Sequence, residues 1–244
     1  MTQTMTADSA SAPAKSLPAR FAGILFAPRA TYASVAAQPR WFGIFALVVL
    51  LSGAAGAALM STEVGRNAVI DQQIAQRQAF GRPMTQAEVD RLESFAPYMA
   101  YVTPVFQILG LGVAALVISG VVFAVFNAML GGDATFKQVF AVVAHSGTIL
   151  AFLSLFTTPL VYARGSLSSA TNLAVFLPFL EETSFAARLL GSIDLVFIWW
   201  MISLAIGLGV LYRKRTGPIA TTLLGLYLAI GLIIAAVKSA STGV

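Results

Sequence analysis

Five long apolar stretches, nearly free of charge, constrain this 244-residue chain more than any other feature. They cover about 41–60, 102–130, 138–163, 189–212 and 218–237. Each approaches or exceeds the roughly 20 apolar residues that a helix needs to cross a bilayer. None alternates strictly as a half-buried strand does, and a helix pairs its own backbone polar groups in lipid. The sequence therefore predicts an all-α polytopic membrane protein with five transmembrane helices.

The scarcity of charge and of metal-binding side chains narrows the function. Hydrophobic residues make up 58% of the chain and charged residues 10%, against about a quarter charged in soluble domains. A soluble enzyme of this length would lack the charge to cover its surface. The chain has no Cys and one His, which excludes disulfides, thiol chemistry and Cys-rich or His-rich metal sites. We predict no cofactor, no metal site and no catalytic residue.

Basic residues set the predicted orientation. The whole-chain distribution of Lys and Arg hardly favours either side, but Arg213, Lys214 and Arg215 are consecutive in a very short loop at a helix end. Under the positive-inside rule, such a cluster marks the cytoplasmic side. The N-terminus is then cytoplasmic and the C-terminus outside. The cluster is also a candidate contact for anionic lipid or an acidic partner, although its role in topology explains it without a partner.

The first forty residues divide into two parts. Residues 1–15 are rich in Ser, Thr and Ala and are predicted to be disordered. In residues 16–40, three prolines separate two short helices whose apolar residues alternate with Arg20 and Arg29. We interpret them as interfacial amphipathic helices, with both Arg side chains directed to lipid phosphates. Packing of the same helices on the bundle is the alternative, and the two arrangements are compatible.

Residues 61–96 are the long polar insert of the chain, and we predict that they are helical and external. Thr85-x-x-Glu88 is a capping box that predicts a short helix through Ser94. A solvated cap is favoured over a binding surface here. A second external loop, 164–188, has a short apolar middle that is typical of an interfacial segment. A short tail, 239–244, follows the last span.

Polar residues inside the predicted spans are functional candidates by default. His145 lies near the predicted midplane and Asp194 near the outer interface, so their depths differ by more than about 10 Å and direct pairing is not expected. His145 is expected to form a hydrogen bond inside the bundle, and Ser146 or Asn127 is a possible nearby partner. Asp194 is favoured near a helix N-terminus. These four residues form the candidate intramembrane polar site. No Gly-x-Ser-x-Gly motif supports a hydrolase.

Three segments carry a resemblance to a known family. They are Phe21-Ala-Gly-Ile-Leu-Phe-Ala-Pro28, Gly131-Gly-Asp-Ala-Thr-Phe-Lys137-Gln-Val and Leu190-Gly-Ser-Ile-Asp194-Leu-Val-Phe-Ile-Trp199. The chain resembles bacterial members of the Yip (Ypt-interacting protein) family over roughly 20–238. The resemblance implies a five-span helical domain in a bacterial inner membrane and supplies no catalytic residue. Eukaryotic relatives are linked to vesicle traffic and to small GTPases of the Rab type.

The expected function is a non-enzymatic membrane scaffold or adaptor in membrane organisation or trafficking. Its expected partners are membrane lipids and other membrane proteins, with a homo-oligomer left open and no nucleic acid. The alternative is a transporter or channel for a small solute or ion, which would use His145 in a wet intramembrane crevice.

Overall fold

The computed structural model describes residues 16–181 and 184–242, so the predicted disorder of residues 1–15 lies outside the described residues. The described α-helices are α1 (Leu17–Phe26), α2 (Pro28–Ala37), α3 (Phe42–Met60), α4 (Glu63–Ala79), α5 (Gln86–Phe95), α6 (Met99–Phe123), α7 (Phe136–Ser146), α8 (Thr148–Arg164), α9 (Phe185–Gly191), α10 (Leu195–Leu211) and α11 (Thr216–Thr242). A 3-10 turn joins α5 to α6, and a π-helical segment, Ala124–Met129, ends α6. The predicted all-α class is confirmed.

Four helical segments of the described chain are long and apolar enough to cross a membrane. They are Phe42–Met60, Gln86–Met129, Phe136–Arg164 and Thr216–Ser241. The remaining predicted span, 189–212, is not one continuous helix. It breaks after α9, and α10 is an apolar helix of 17 residues, about 26 Å long at 1.5 Å per residue. The carboxylate of Asp194 accepts a hydrogen bond from the N–H of Val196, which caps the helix and makes it begin at Leu195.

Helix α10 lies at the centre of the bundle. It packs against α2, α7, α8 and α11, while α3 packs against α6 and α8. The core around α7 and α10 includes Val139, Val142, Leu204 and Leu208, all at most 2% exposed. Because lipid is as apolar as these side chains, helix association in a bilayer depends on close packing more than on burial from water. The small residues of α7 and α10 allow this close packing.

The N-terminal segment forms two short helices, α1 and α2, and each has Pro in its first turn. Ile24, Tyr32 and Val35 are at most 1% exposed and belong to the core around α10. Helix α2 contacts α7 and α10, and α1 contacts α3, α7 and α8. The bundle-packing alternative therefore describes both helices, and their placement at the membrane surface stays a prediction.

The polar insert forms α4 and α5, with the predicted capping box between them. Thr85 Oγ1 accepts from the Glu88 N–H at 3.4 Å, and the Glu88 carboxylate accepts from the Thr85 N–H at 2.8 Å. The turn after α4 passes Gly81 at φ +68°, where a Cβ would stand 2.7 Å from the Ser241 carbonyl oxygen. Glycine alone fits this left-handed close approach, which places the insert on the end of α11. We call the end of the bundle that carries α4, α5 and residues 165–181 and 184–194 the insert end.

Replacement of Gly207 by Ala should separate α2 from α10. A Cβ there would stand 2.6 Å from Val142 Cγ1 and 2.8 Å from Tyr32 Cε1, and overpacking of this kind costs about 1–3 kcal/mol. We expect that loss in the free energy of unfolding, measured by reversible denaturation in detergent micelles. Gly225→Ala is the matched control, because nothing lies within 4 Å of its added Cβ. Equal stability of the two variants would contradict the packing.

Candidate functional site

His145 and Thr148 lie fully buried at the junction of α7 and α8. Both side chains are 0% exposed. His145 Nδ1 lies 2.7 Å from the Ala141 carbonyl oxygen, one turn earlier in α7. Because a carbonyl oxygen only accepts, Nδ1 carries the hydrogen, and in the neutral imidazole Nε2 is an acceptor. Neither His145 Nε2 nor Thr148 Oγ1 has a hydrogen-bond partner among the described residues. The prediction that Ser146 or Asn127 is the hydrogen-bond partner of His145 is therefore wrong.

Ser146 joins α7 to α10. Its hydroxyl donates to the Val143 carbonyl at 2.7 Å and accepts from the Trp200 indole N–H at 3.0 Å. Both bonds hold the hydroxyl away from the imidazole, so the pair forms no nucleophile and base. This contact of Trp200 was not identified in the sequence analysis above. A buried indole N–H generally needs an acceptor, and this requirement was the signal for the contact.

Tyr32 and Ser203 form the second buried polar contact of α10. Their hydroxyls share a hydrogen bond of 2.8 Å, with Tyr32 0% and Ser203 2% exposed. Burial raises the pKa of the Tyr32 phenol above its ordinary range, although the hydrogen bond to Ser203 acts in the opposite direction. The phenol therefore stays protonated and keeps α2 bonded to α10. Sequence analysis missed both residues.

Asn127 lies in the π-helical segment at the other end of the bundle. Its amide Nδ2 donates to the Ala134 carbonyl at 2.6 Å, and its Oδ1 accepts from the Tyr212 hydroxyl at 2.7 Å. The Tyr212 ring stacks on Phe126 with ring centroids 4.6 Å apart. Asn127 thus ties the turn between α6 and α7 to the end of α10. Both of its polar atoms are used there.

Asp194 fastens the 165–180 loop to α10 and α11. Its carboxylate accepts from the Thr171 hydroxyl at 3.0 Å and from the Ser169 hydroxyl. Its backbone N–H donates to the Tyr227 hydroxyl at 2.8 Å. The expectation of a helix N-terminus is confirmed, but its placement within a continuous helix over 189–212 is wrong. Thus the four predicted polar residues occupy three separate places, and His145 and Ser146 are adjacent without bonding to each other.

The predicted basic contacts differ in exposure. Arg213, Lys214 and Arg215 are exposed in the turn between α10 and α11, which we call the basic turn. Arg213 adopts a left-handed conformation with φ 53°. Arg29 is also exposed. Arg20 is 8% exposed and donates to the Arg40 carbonyl at 3.2 Å, so its predicted direction towards lipid phosphates is wrong.

The buried hydroxyl groups described above connect helices to one another. Among the described residues, no group of three or more His, Asp or Glu residues is placed to hold a metal ion. The buried hydroxyls of Tyr32, Ser146 and Ser203 bond across helix pairs. This arrangement stabilises one packing of α2, α7 and α10.

Comparison with known proteins gives one family. The family model of the Yip1 domain matches residues 22–237. The match confirms the resemblance drawn from the sequence. No curated protein and no solved structure matches the chain significantly.

Asp194→Ala should lower the free energy of unfolding by about 2 kcal/mol, because it removes a helix cap together with side-chain hydrogen bonds. Asp194→Asn should lose less, since its amide oxygen can still cap α10. Both effects are measured by reversible denaturation in micelles, with Asp90→Ala on exposed α5 as the control. A loss no larger than that of the control would show that Asp194 does not hold the loop.

Proposed function

Because the chain belongs to the Yip1 domain family, we propose that this multi-pass membrane protein is a non-enzymatic scaffold or adaptor. In this proposal it binds other membrane proteins or lipids in membrane organisation or trafficking. The observation that carries the proposal is that the polar contacts are buried in the bundle, while apolar helix faces are exposed on its outside. Buried polar groups join helices to one another, whereas two long apolar helices lie at the outside of the bundle.

Those two helices are α6 and α11. Helix α6 packs on α3 and α7, and α11 packs mainly on α10 and α9. In each of the two segments that contain them, only 17% of an apolar stretch of 18 residues is buried. Phe106, Leu109 and Val117 of α6 are 69%, 59% and 58% exposed, respectively. Such surfaces in a bilayer contact lipid or the helices of another protein, where small residues permit close approach.

Transport of a small solute or ion is the second candidate, and the unpartnered Nε2 of buried His145 is the observation in its favour. A transport site needs access from at least one side of the membrane. His145 and the neighbouring Thr148 are both 0% exposed, so the described conformation offers no open crevice at this point. The adaptor function is therefore the better supported of the two.

We further propose that α10 is a fifth span and that the membrane is a bacterial inner membrane. Helix α10 packs among helices that are long enough to cross, and the basic turn follows it directly. The N-terminus and the basic turn are then cytoplasmic, and the insert end and the C-terminus are outside. In the same proposal the insert 61–96 is an external cap.

Single-Cys labelling in intact cells should test this topology, since the natural chain has no Cys. The variants are Ser16→Cys, Ser94→Cys, Asp133→Cys, Ser168→Cys, Lys214→Cys and Ser241→Cys. We expect an impermeant maleimide to label positions 94, 168 and 241 only. Lysed cells provide the control, in which all six should react. Labelling of positions 168 and 214 from the same side would show that α10 does not cross.

Neutralising the basic turn should reduce partner capture if the adaptor function is correct. We expect the variant with Gln at positions 213, 214 and 215 to lose most of the partner that cross-linking in native membranes captures from the wild type. A variant with Lys at positions 213 and 215 preserves charge and should retain capture. Labelling at position 168 checks that topology is unchanged.

His145→Ala separates the two candidate functions. An adaptor should retain partner capture in this variant, whereas a transporter that uses the imidazole should lose flux in proteoliposomes while remaining folded. Self-cross-links alone in the wild type would argue against an adaptor for other proteins. Loss of flux with unchanged folding would favour the transport candidate.

A further inference from the structure

A groove opens at the insert end of the bundle. It lies where α4, the 165–172 loop, α9 and the end of α11 meet, and its volume is about 940 Å³. A second hollow of about 680 Å³ lies between α4, the turn after it and α11. Gln76 lines both hollows. Pockets of several hundred Å³ are the size of ordinary small-ligand sites.

Cationic side chains line both hollows. Arg188 and Lys238 line the larger one, and Arg77 and Arg82 line the smaller one. Lys238 Nζ lies 5.5 Å from the centroid of the Phe80 ring, which places the ammonium beside the smaller hollow. Arginine and lysine donate charge-assisted hydrogen bonds that suit phosphate oxygens.

Neutral and acidic groups complete the lining of the larger hollow. Ser166, Ser168 and Ser169 also line it, and Asp71 is the acid among its described lining residues. In the smaller hollow, Arg77 forms an ion pair with Glu88 at 3.3 Å, with both side chains well exposed. Exposed pairs of this kind are weak, so an incoming phosphate can compete for the guanidinium.

An apolar surface adjoins these cations. On α11, Ile230, Ile233 and Val237 are 48%, 62% and 45% exposed, and Val237 also lines the smaller hollow. Thr216–Ser241 is one of the segments long and apolar enough to cross a membrane. Lys238, near its end, therefore lies where such a helix leaves the hydrocarbon and meets the headgroup layer.

The groove is built into the fold. The Gly81 backbone approaches the Ser241 carbonyl so closely that it leaves no room for a Cβ. This contact holds the turn that carries Arg82 against the end of α11. The cations of the insert and those of the membrane helices are therefore brought together before any ligand arrives, which reduces the entropy lost on binding.

From this juxtaposition we propose that the groove binds the phosphate headgroup of an anionic glycerophospholipid, with its acyl chains along the exposed face of α11. Free phosphate shares the headgroup chemistry but would make no use of the apolar face. The inference names the lipid class and the site for the lipid binding that the proposed function includes, and it rests on that part of the proposal. It would stand if no partner protein were captured, and the adaptor function would stand if this groove bound no lipid.

The experiment uses the full chain, purified and delipidated in detergent, with bound lipid measured by native mass spectrometry. Short-chain phosphatidylglycerol is the probe, diacylglycerol of equal chain length lacks the phosphate, and inorganic phosphate lacks the chains. We expect the wild type to retain phosphatidylglycerol in preference to diacylglycerol. Arg188→Gln with Lys238→Gln should weaken binding roughly tenfold, as expected when charge-assisted hydrogen bonds are lost.

Arg164→Gln is the matched control, because Arg164 is an exposed cation at the end of α8 that does not line either hollow. It should leave binding unchanged. Arg188→Lys with Lys238→Arg keeps both charges and should retain lipid, which separates loss of charge from loss of folding. If Lys238→Gln with Arg188→Gln fails to fold, Lys238→Gln alone is compared with Lys238→Arg, and equal lipid retention by those two would overturn the proposal.

Three further results would overturn the proposed lipid site. The first is equal retention of diacylglycerol and phosphatidylglycerol by the wild type. The second is equal weakening by Arg164→Gln and by the groove variant. The third is saturation of the groove by inorganic phosphate together with exclusion of lipid, which would assign it to the free ion. Partner capture by the same variants is measured separately and tests the adaptor function.

Discussion

Polar side chains buried among membrane helices need partners that water and lipid do not supply, and this requirement shapes the centre of the bundle. Helix α10 meets it on two sides. Ser203 bonds Tyr32 of α2, and Trp200 bonds Ser146 of α7. At its start, the Asp194 carboxylate accepts from the Thr171 hydroxyl of the 165–180 loop and from the Val196 N–H of α10 itself. Helix α10 is thus hydrogen-bonded to two neighbouring helices and to the loop that precedes it.

The same requirement separates the interior from the surfaces that are available for binding. The interior of α2, α7 and α10 uses its hydroxyls to fix one arrangement of helices. The outside carries the apolar faces of α6 and α11, the basic turn at one end, and the groove lined by Arg188 and Lys238 at the other. The proposed adaptor function depends on these peripheral surfaces.

Local patterns in the sequence predicted the local structure well. Proline positions defined α1 and α2, and Thr85 with Glu88 defined the start of α5, because these signals act over a few residues. The beginning of α10 was not predictable in the same way, since Asp194 bonds Ser169 and Thr171 more than twenty residues away. Burial of Arg20 likewise depends on the fold that brings Arg40 beside it. The partner of His145 is the Ala141 carbonyl of its own helix, whereas the sequence suggested side-chain partners.

The shortness of α10 has a physical consequence if it crosses the bilayer as proposed. At about 26 Å it falls a few ångströms short of a typical hydrocarbon core of about 30 Å. The neighbouring loop exposes Phe176 and Phe179, at 62% and 78%, close in sequence to the residues that Asp194 binds. Hydrophobic mismatch costs only a fraction of a kcal/mol per ångström, yet it sorts proteins between membranes. A thicker bilayer would therefore exceed the length of α10, the central helix, before it exceeds the lengths of the longer helices around it.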